Sequence, residues 1–163
     1  MKYSVYLILT SIALAFWSCA DEQDISPTVL YGTWEQSSYW EDRDLDLVGR
    51  YHFQPNGTFE RIHFLRKPES AEIVGYTHYL KGEFEITGRR IKFIDGVHYR
   101  LEDEKNEYGD FEDFRELEDL KYNAEVVLEF ENNKRDLVMD FGPCNPILSS
   151  ICIRYQRFTK VFG

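Results

Sequence analysis

The side chains able to do chemistry in this chain are four histidines, three cysteines and a large excess of carboxylates. An imidazole serves well as a general base or metal ligand near neutral pH, but either job needs a partner at short spacing. His52, His63, His78 and His98 are scattered, with no H-x-x-x-H pair and no neighbouring cysteine. A G-x-S-x-G elbow and a phosphate-binding glycine loop are also missing. Ten acids (102, 103, 104, 107, 110, 112, 113, 116, 118 and 119) crowd into 102–119, against Lys105 and Arg115. Clustered carboxylates can hold a hard cation such as calcium. The spacing does not follow an EF-hand loop, however, because Lys105 stands where an acid or amide is needed. A solvated acidic connection explains the segment more simply. The chain is therefore expected to be non-catalytic, with no metal and no cofactor.

These residues must be positioned by short alternating segments separated by turn signals, the pattern of an antiparallel meander. Strands are predicted over 30–40, 49–54, 58–65, 76–86, 90–94, 98–101, 125–130, 135–141 and 151–160. In Gln54-Pro55-Asn56-Gly57-Thr58, a proline followed by Asn-Gly suits a type I turn closed by a glycine bulge. That turn pairs Phe53 with Phe59 and Tyr51 with Arg61. Tyr51, Phe53, Phe59, Arg61 and His63 then share one face, and Tyr76, His78, Leu80, Phe84 and Ile86 share another. Within the acidic segment, Asp110 is placed to cap a helix running to about Tyr122. Its apolar residues Phe111, Phe114, Leu117 and Leu120 repeat every three, so their stripe smears around the helix. The fold class is all-β: an up-and-down barrel of about eight strands, with one acidic helical insertion.

Composition limits the partners. Across 163 residues the net charge is −10, from 19 Lys+Arg against 29 Asp+Glu. Nucleic acid is excluded, since phosphate contacts need clustered basic residues. With 12 Phe, 11 Tyr and 3 Trp, the chain needs a core in which to bury them.

The N-terminus reads as an address. Met1-Lys2 is followed by an uncharged run from Tyr3 to Ser18, too short for a comfortable membrane span. Ser18-Cys19 then meets the polar Ala20-Asp21-Glu22-Gln23-Asp24. This resembles a lipoprotein signal, with a small residue before a cysteine that becomes lipidated (palmitate included). The expected organisation is a signal peptide over 1–18, a flexible tether over 19–27 and one barrel domain over 28–163. The expected location is the cell envelope, as an outer-membrane lipoprotein that is periplasmic or surface-exposed. With Cys19 lipidated, Cys144 and Cys152 remain, and outside the cytoplasm such a pair is expected to form a disulfide. A metal or redox pair would favour closer spacing.

Leu30-Tyr31-Gly32-Thr33-Trp34, Tyr51-His52-Phe53 and Asn56-Gly57-Thr58-Phe59 resemble the small lipocalin-like lipoproteins of bacteria. So does Gly82-Glu83-Phe84-Glu85-Ile86-Thr87-Gly88-Arg89-Arg90-Ile91, and the resemblance spans roughly 30–160. It implies that Gly32 and Trp34 mark the barrel base, with a basic residue near the last strand packed over the indole. Arg157 is the candidate for that cover, since it shares parity with Ile151, Ile153 and Tyr155.

Two functions from different classes follow. In the first, the barrel binds a small hydrophobic or amphipathic molecule among Tyr51, Phe53, Phe59, Arg61, His63, Tyr76 and His78. An acidic head on such a guest would suit the arginine. In the second, the barrel is solid, and exposed aromatics (Tyr39, Trp40, Tyr79) or the acidic segment 102–119 bind an envelope protein or glycan.

Overall fold

A computed structural model describes residues 24–103, 105–143 and 153–162. A short helix α1 (Pro27–Leu30) precedes eight strands: β1 (Gly32–Trp40), β2 (Leu45–Phe53), β3 (Thr58–Arg66), β4 (Ile73–Thr87), β5 (Arg90–Leu101), β6 (Phe114–Glu131), β7 (Asp136–Asp140) and β8 (Tyr155–Val161). Each strand pairs antiparallel with the next, and β8 returns to β1, so the sheet closes into a barrel without a free edge.

The β2–β3 turn shows how local sequence dictates register. Gly57 adopts φ 83°, the left-handed conformation that a glycine reaches without strain. Its amide donates to Gln54 O at 3.1 Å, and Gln54 N donates to Thr58 O at 2.9 Å. Phe53 therefore faces Phe59 and Tyr51 faces Arg61, as the turn predicts.

The three short turns, 54–57, 88–89 and 132–135, together with α1, lie at one end of the barrel. The longer connections 41–44, 67–72 and 102–113 lie at the other. The first end is closed. Leu30 and Trp34 are fully buried there, and Trp34 Nε1 donates to Leu30 O at 2.6 Å. Residues 24–27, expected to belong to a tether, are attached: Ile25 N donates to Gly88 O at 3.1 Å and its side chain packs on the core. Above this floor Tyr51, Phe53, Phe59, Phe84, Phe93 and Phe158 fill the lumen with edge-on and offset ring contacts, such as Phe59–Phe93 at 4.7 Å between centroids.

Three local features depart from the sequence expectation. Segments 90–94 and 98–101 are one bent strand, because a bulge at Asp95 (φ 48°) and Gly96 keeps the ladder running. Another irregularity at Thr77 separates the pair His63–His78 from the pair Phe64–Tyr76, which turns Tyr76 to the outside. The expected helix over 110–122 is absent. Asp110 does cap, reciprocally with Asp113, but only the 3-10 turn Phe111–Asp113. The chain then enters β6, where residues 117–120 face the single residue His98. A bulge of that size places apolar residues three apart along a strand, which imitates a helical repeat.

Candidate binding chamber

Alternation along the strands divides the lumen into two storeys. The lower storey is the packed aromatic floor. The upper storey is built by the next inward-facing residues of five strands: Arg61 and His63 on β3, His78 on β4, His98 on β5, Tyr122 on β6 and Gln156 on β8. Their inward direction follows from their partners. Arg61 pairs with Leu80 and with Tyr51, Leu80 with His98, and Gln156 with Met139, and these three apolar or aromatic partners are fully buried. Arg61, His63, His78 and His98 themselves are only half-buried. In a closed barrel, inward-facing groups can meet solvent only from the lumen. Higher on the same wall Gln36 and Ser38 of β1 and Leu47 of β2 are exposed, so the chamber opens at the end opposite α1.

Hydrogen bonds link these groups around the wall. Arg61 Nε donates to His63 Nε2 at 3.1 Å, and His78 Nε2 lies 3.1 Å from His98 Nδ1, sharing one proton between them. The His63 and His78 rings are 5.4 Å apart, the His78 and His98 rings 5.3 Å. The Arg61 guanidinium sits over the Tyr51 ring at 5.2 Å from its centroid. No carboxylate among the described residues forms an ion pair with Arg61. Among the described residues three buried polar atoms have no hydrogen-bond partner: the Tyr51 hydroxyl, His78 Nδ1 and Gln156 Oε1. Buried polar atoms are normally satisfied, so three together on one inner wall are unusual.

The electrostatics follow from burial and from nearby arginines, Arg61 foremost. Burial, reinforced by Arg61 and then His78, pushes His63 down to about 3. Burial, followed by Arg61, His98 and Arg100, pushes His78 down to about 4. His98 is lowered by burial and then by Arg61. Burial raises Tyr51 and Tyr122 above the ordinary tyrosine value, with Arg61 opposing both shifts. At neutral pH the wall therefore carries neutral imidazoles and phenols around Arg61, with Arg100 of β5 close enough to lower His78 as well. Among the described residues no cluster of three or more His, Cys, Asp or Glu side chains is arranged to hold a metal ion.

Of the residues singled out from sequence, Tyr51, Phe53, Phe59, Arg61, His63 and His78 come together on the inner wall. Tyr76 does not: the bulge beside it directs its ring outward, 6.3 Å from Phe64 and 5.4 Å from Phe111. Gly32 (φ 110°) and Trp34 stand at the base. Arg157 does not cover the indole, because odd positions of β8 face outward, and it pairs instead with Glu131 and Asp136. Lys160 covers it, with Nζ 5.0 Å from the ring centroid. Tyr79, taken from sequence as exposed, is 8% exposed, lying under Phe111, whereas Tyr39 is 55% exposed. Cys19, Cys144 and Cys152 lie outside the described residues, as do the signal segment and Glu104.

Sequence reasoning missed His98, Tyr122 and Gln156. The signal for His98 was available only once the Asp95-Gly96 bulge was recognised, since the extra residue resets the inward parity. Tyr122 closes the segment that the sequence marks as a helix, whereas it lies in β6. Compared with family models, curated proteins and solved structures, the chain finds no match.

Proposed function

We propose that this chain is a non-catalytic, lipid-anchored, lipocalin-like protein of the cell envelope whose barrel takes up a small hydrophobic or amphipathic molecule. The observation that carries this reading is the upper storey of the lumen. It is reachable from the mouth, lined by polar side chains, and holds three buried polar atoms without partners. A plug built only for stability would fill that storey with apolar side chains, as the floor is filled. Unpartnered buried polar groups each cost roughly 1–3 kcal/mol, a cost that a bound guest with matching groups offsets. Gly32 and Trp34 at the closed base, covered by a basic residue of the last strand, support the lipocalin-like architecture. The Ser18-Cys19 junction supports the anchor.

Native mass spectrometry of the gently extracted full-length protein tests the carrier reading. The expected result is a protein ion with an additional small-molecule mass that collisional activation removes. A bare protein ion from every extraction condition, together with no change of stability across a small-molecule panel, would refute it. Incorporation of an alkyne-bearing palmitate, lost in Cys19→Ala, tests the anchor.

A further inference from the structure

Resting on the carrier reading, we infer that the guest is an organic monoanion with a carboxylate head and an apolar tail, bound head-inward with the carboxylate on Arg61. Arg61 is a permanent cation inside the lumen of a protein whose net charge is −10. Its one hydrogen-bond partner among the described residues, His63, is a neutral acceptor, so most of the five guanidinium donors are not used within them. A planar fork of donors matches a two-oxygen carboxylate.

The neighbours agree. Tyr51 is fully buried beside Arg61 with a hydroxyl that has no partner, and a phenol in its neutral form donates well to an anion. His78 Nδ1 is likewise unpartnered. When His98 Nδ1–H donates to His78 Nε2, the His78 proton stands on Nδ1 as a second donor. Along β3 and β4 the acids Glu60, Glu83 and Glu85 occupy the outward positions of the ladder, facing away from Arg61.

The direction of the guest follows from the two storeys. Below Arg61 the lumen is packed with Phe53, Phe59, Phe93 and Phe158, which leaves the tail no way downward. Above it, Leu47 is inward-facing yet exposed at the mouth, and at the same end Ile73 at the start of β4 and Tyr108 on the β5–β6 connection are exposed. A tail pointing upward would cover this apolar rim, whereas a head at the mouth would leave Arg61 unneutralised.

Titration calorimetry of the full-length chain with octanoate and with octanol, which share a tail, tests the inference. Octanoate is expected to bind about ten- to a hundredfold more tightly, the range of charge-assisted hydrogen bonds. In Arg61→Gln the preference is expected to collapse to within about twofold. Tyr51→Phe, which preserves the ring packing, is expected to weaken octanoate several-fold while the thermal unfolding midpoint stays close to that of the parent. Equal affinity of the unaltered chain for octanol and octanoate would overturn the inference and leave the carrier reading standing. So would an unchanged preference in a folded Arg61→Gln protein. No binding of either probe, with no small molecule carried by the extracted protein, would overturn both.

Discussion

Lys160 stands with its ammonium 5.0 Å from the centre of the Trp34 ring, and both side chains donate to one short helix. Lys160 Nζ donates to Val29 O at 2.8 Å, and Trp34 Nε1 to Leu30 O at 2.6 Å. A helix of four residues has no stability of its own. These two bonds and the burial of Leu30 hold it across the barrel floor. Burial lowers the lysine's pKa, so its charge is maintained at some desolvation cost.

Removing either partner should therefore loosen the floor. Trp34→Ala is expected to cost about 3–5 kcal/mol, the usual range for a fully buried large aromatic. Lys160→Met keeps the aliphatic stem but loses the ammonium, at about 1–2 kcal/mol. In urea unfolding the double variant should show a coupling of about 1 kcal/mol. Strict additivity of the two losses would show that the contact does not contribute.

Stability should fall on mild acidification because of the chamber histidines. An unfolded histidine titrates near 6.5, whereas His63 and His78 are held at about 3 and about 4. Between those values the unfolded chain binds more protons than the folded one, so folding free energy is lost as pH drops from about 6.5 toward 4. Each pKa unit corresponds to about 1.4 kcal/mol for a wholly enclosed group, and partial exposure reduces that. Denaturant midpoints measured between pH 7.5 and 4.5 should decline less steeply in His63→Gln/His78→Gln than in the parent. Parallel curves would mean that the histidines protonate freely in the folded barrel.

Legibility tracked how local the determining interaction is. The Phe53–Phe59 register was readable because a proline, an asparagine and a glycine specify one turn, and the turn specifies the pairing. Strand alternation likewise gave the inner positions of β3. It failed at Thr77, Asp95 and residues 117–120, where an irregularity that no local residue announces changes the parity of all that follows. Arg157 and Lys160 illustrate the consequence. Parity with Ile151 points to Arg157, but the inward face of β8 is set by Phe158, opposite Leu137. The chamber was half legible for the same reason: β3 supplied Arg61 and His63 correctly, while His98 and Tyr122 lay beyond bulges.

The close approach of two glycines at the β4–β5 bend should be intolerant of any side chain. A Cβ on Gly82 would lie 2.8 Å from Gly96 Cα, 3.0 Å from Ile94 O and 3.0 Å from Phe59 Cε1. Two of those atoms are backbone, and the third belongs to a ring wedged in the floor, so none can yield cheaply. Gly82→Ala is expected to destabilise by about 1–3 kcal/mol, as overpacking does. Thermal unfolding provides the check, and a midpoint within a degree of the parent would count against the packing described.

The acidic segment should behave as a latch fastened to the outer wall. Phe111 is 41% exposed, yet its ring lies 4.9 Å from Tyr79, 5.4 Å from Tyr76 and 6.0 Å from Phe114. Beside it Tyr76 N donates to Gly109 O at 2.8 Å and Gly109 N to Tyr76 O at 3.0 Å, while Arg43 pairs with Glu107. Phe111→Ser removes the apolar part of this fastening, worth about 1–2 kcal/mol for a half-buried ring. The exposed ion pair adds little. Opening should be local, because the lumen core lies on the other side of the sheet. Hydrogen exchange at the Tyr76 and Gly109 amides is expected to accelerate, with Val126 and Leu137 unaffected. Burial, with Glu60 beside it, pushes the Tyr79 phenol up to about 12. With Phe111 gone, its ultraviolet titration should move down toward the ordinary tyrosine value. A Tyr79 titration and Gly109 exchange both identical to the parent would show that Phe111 merely rests on the wall and fastens nothing.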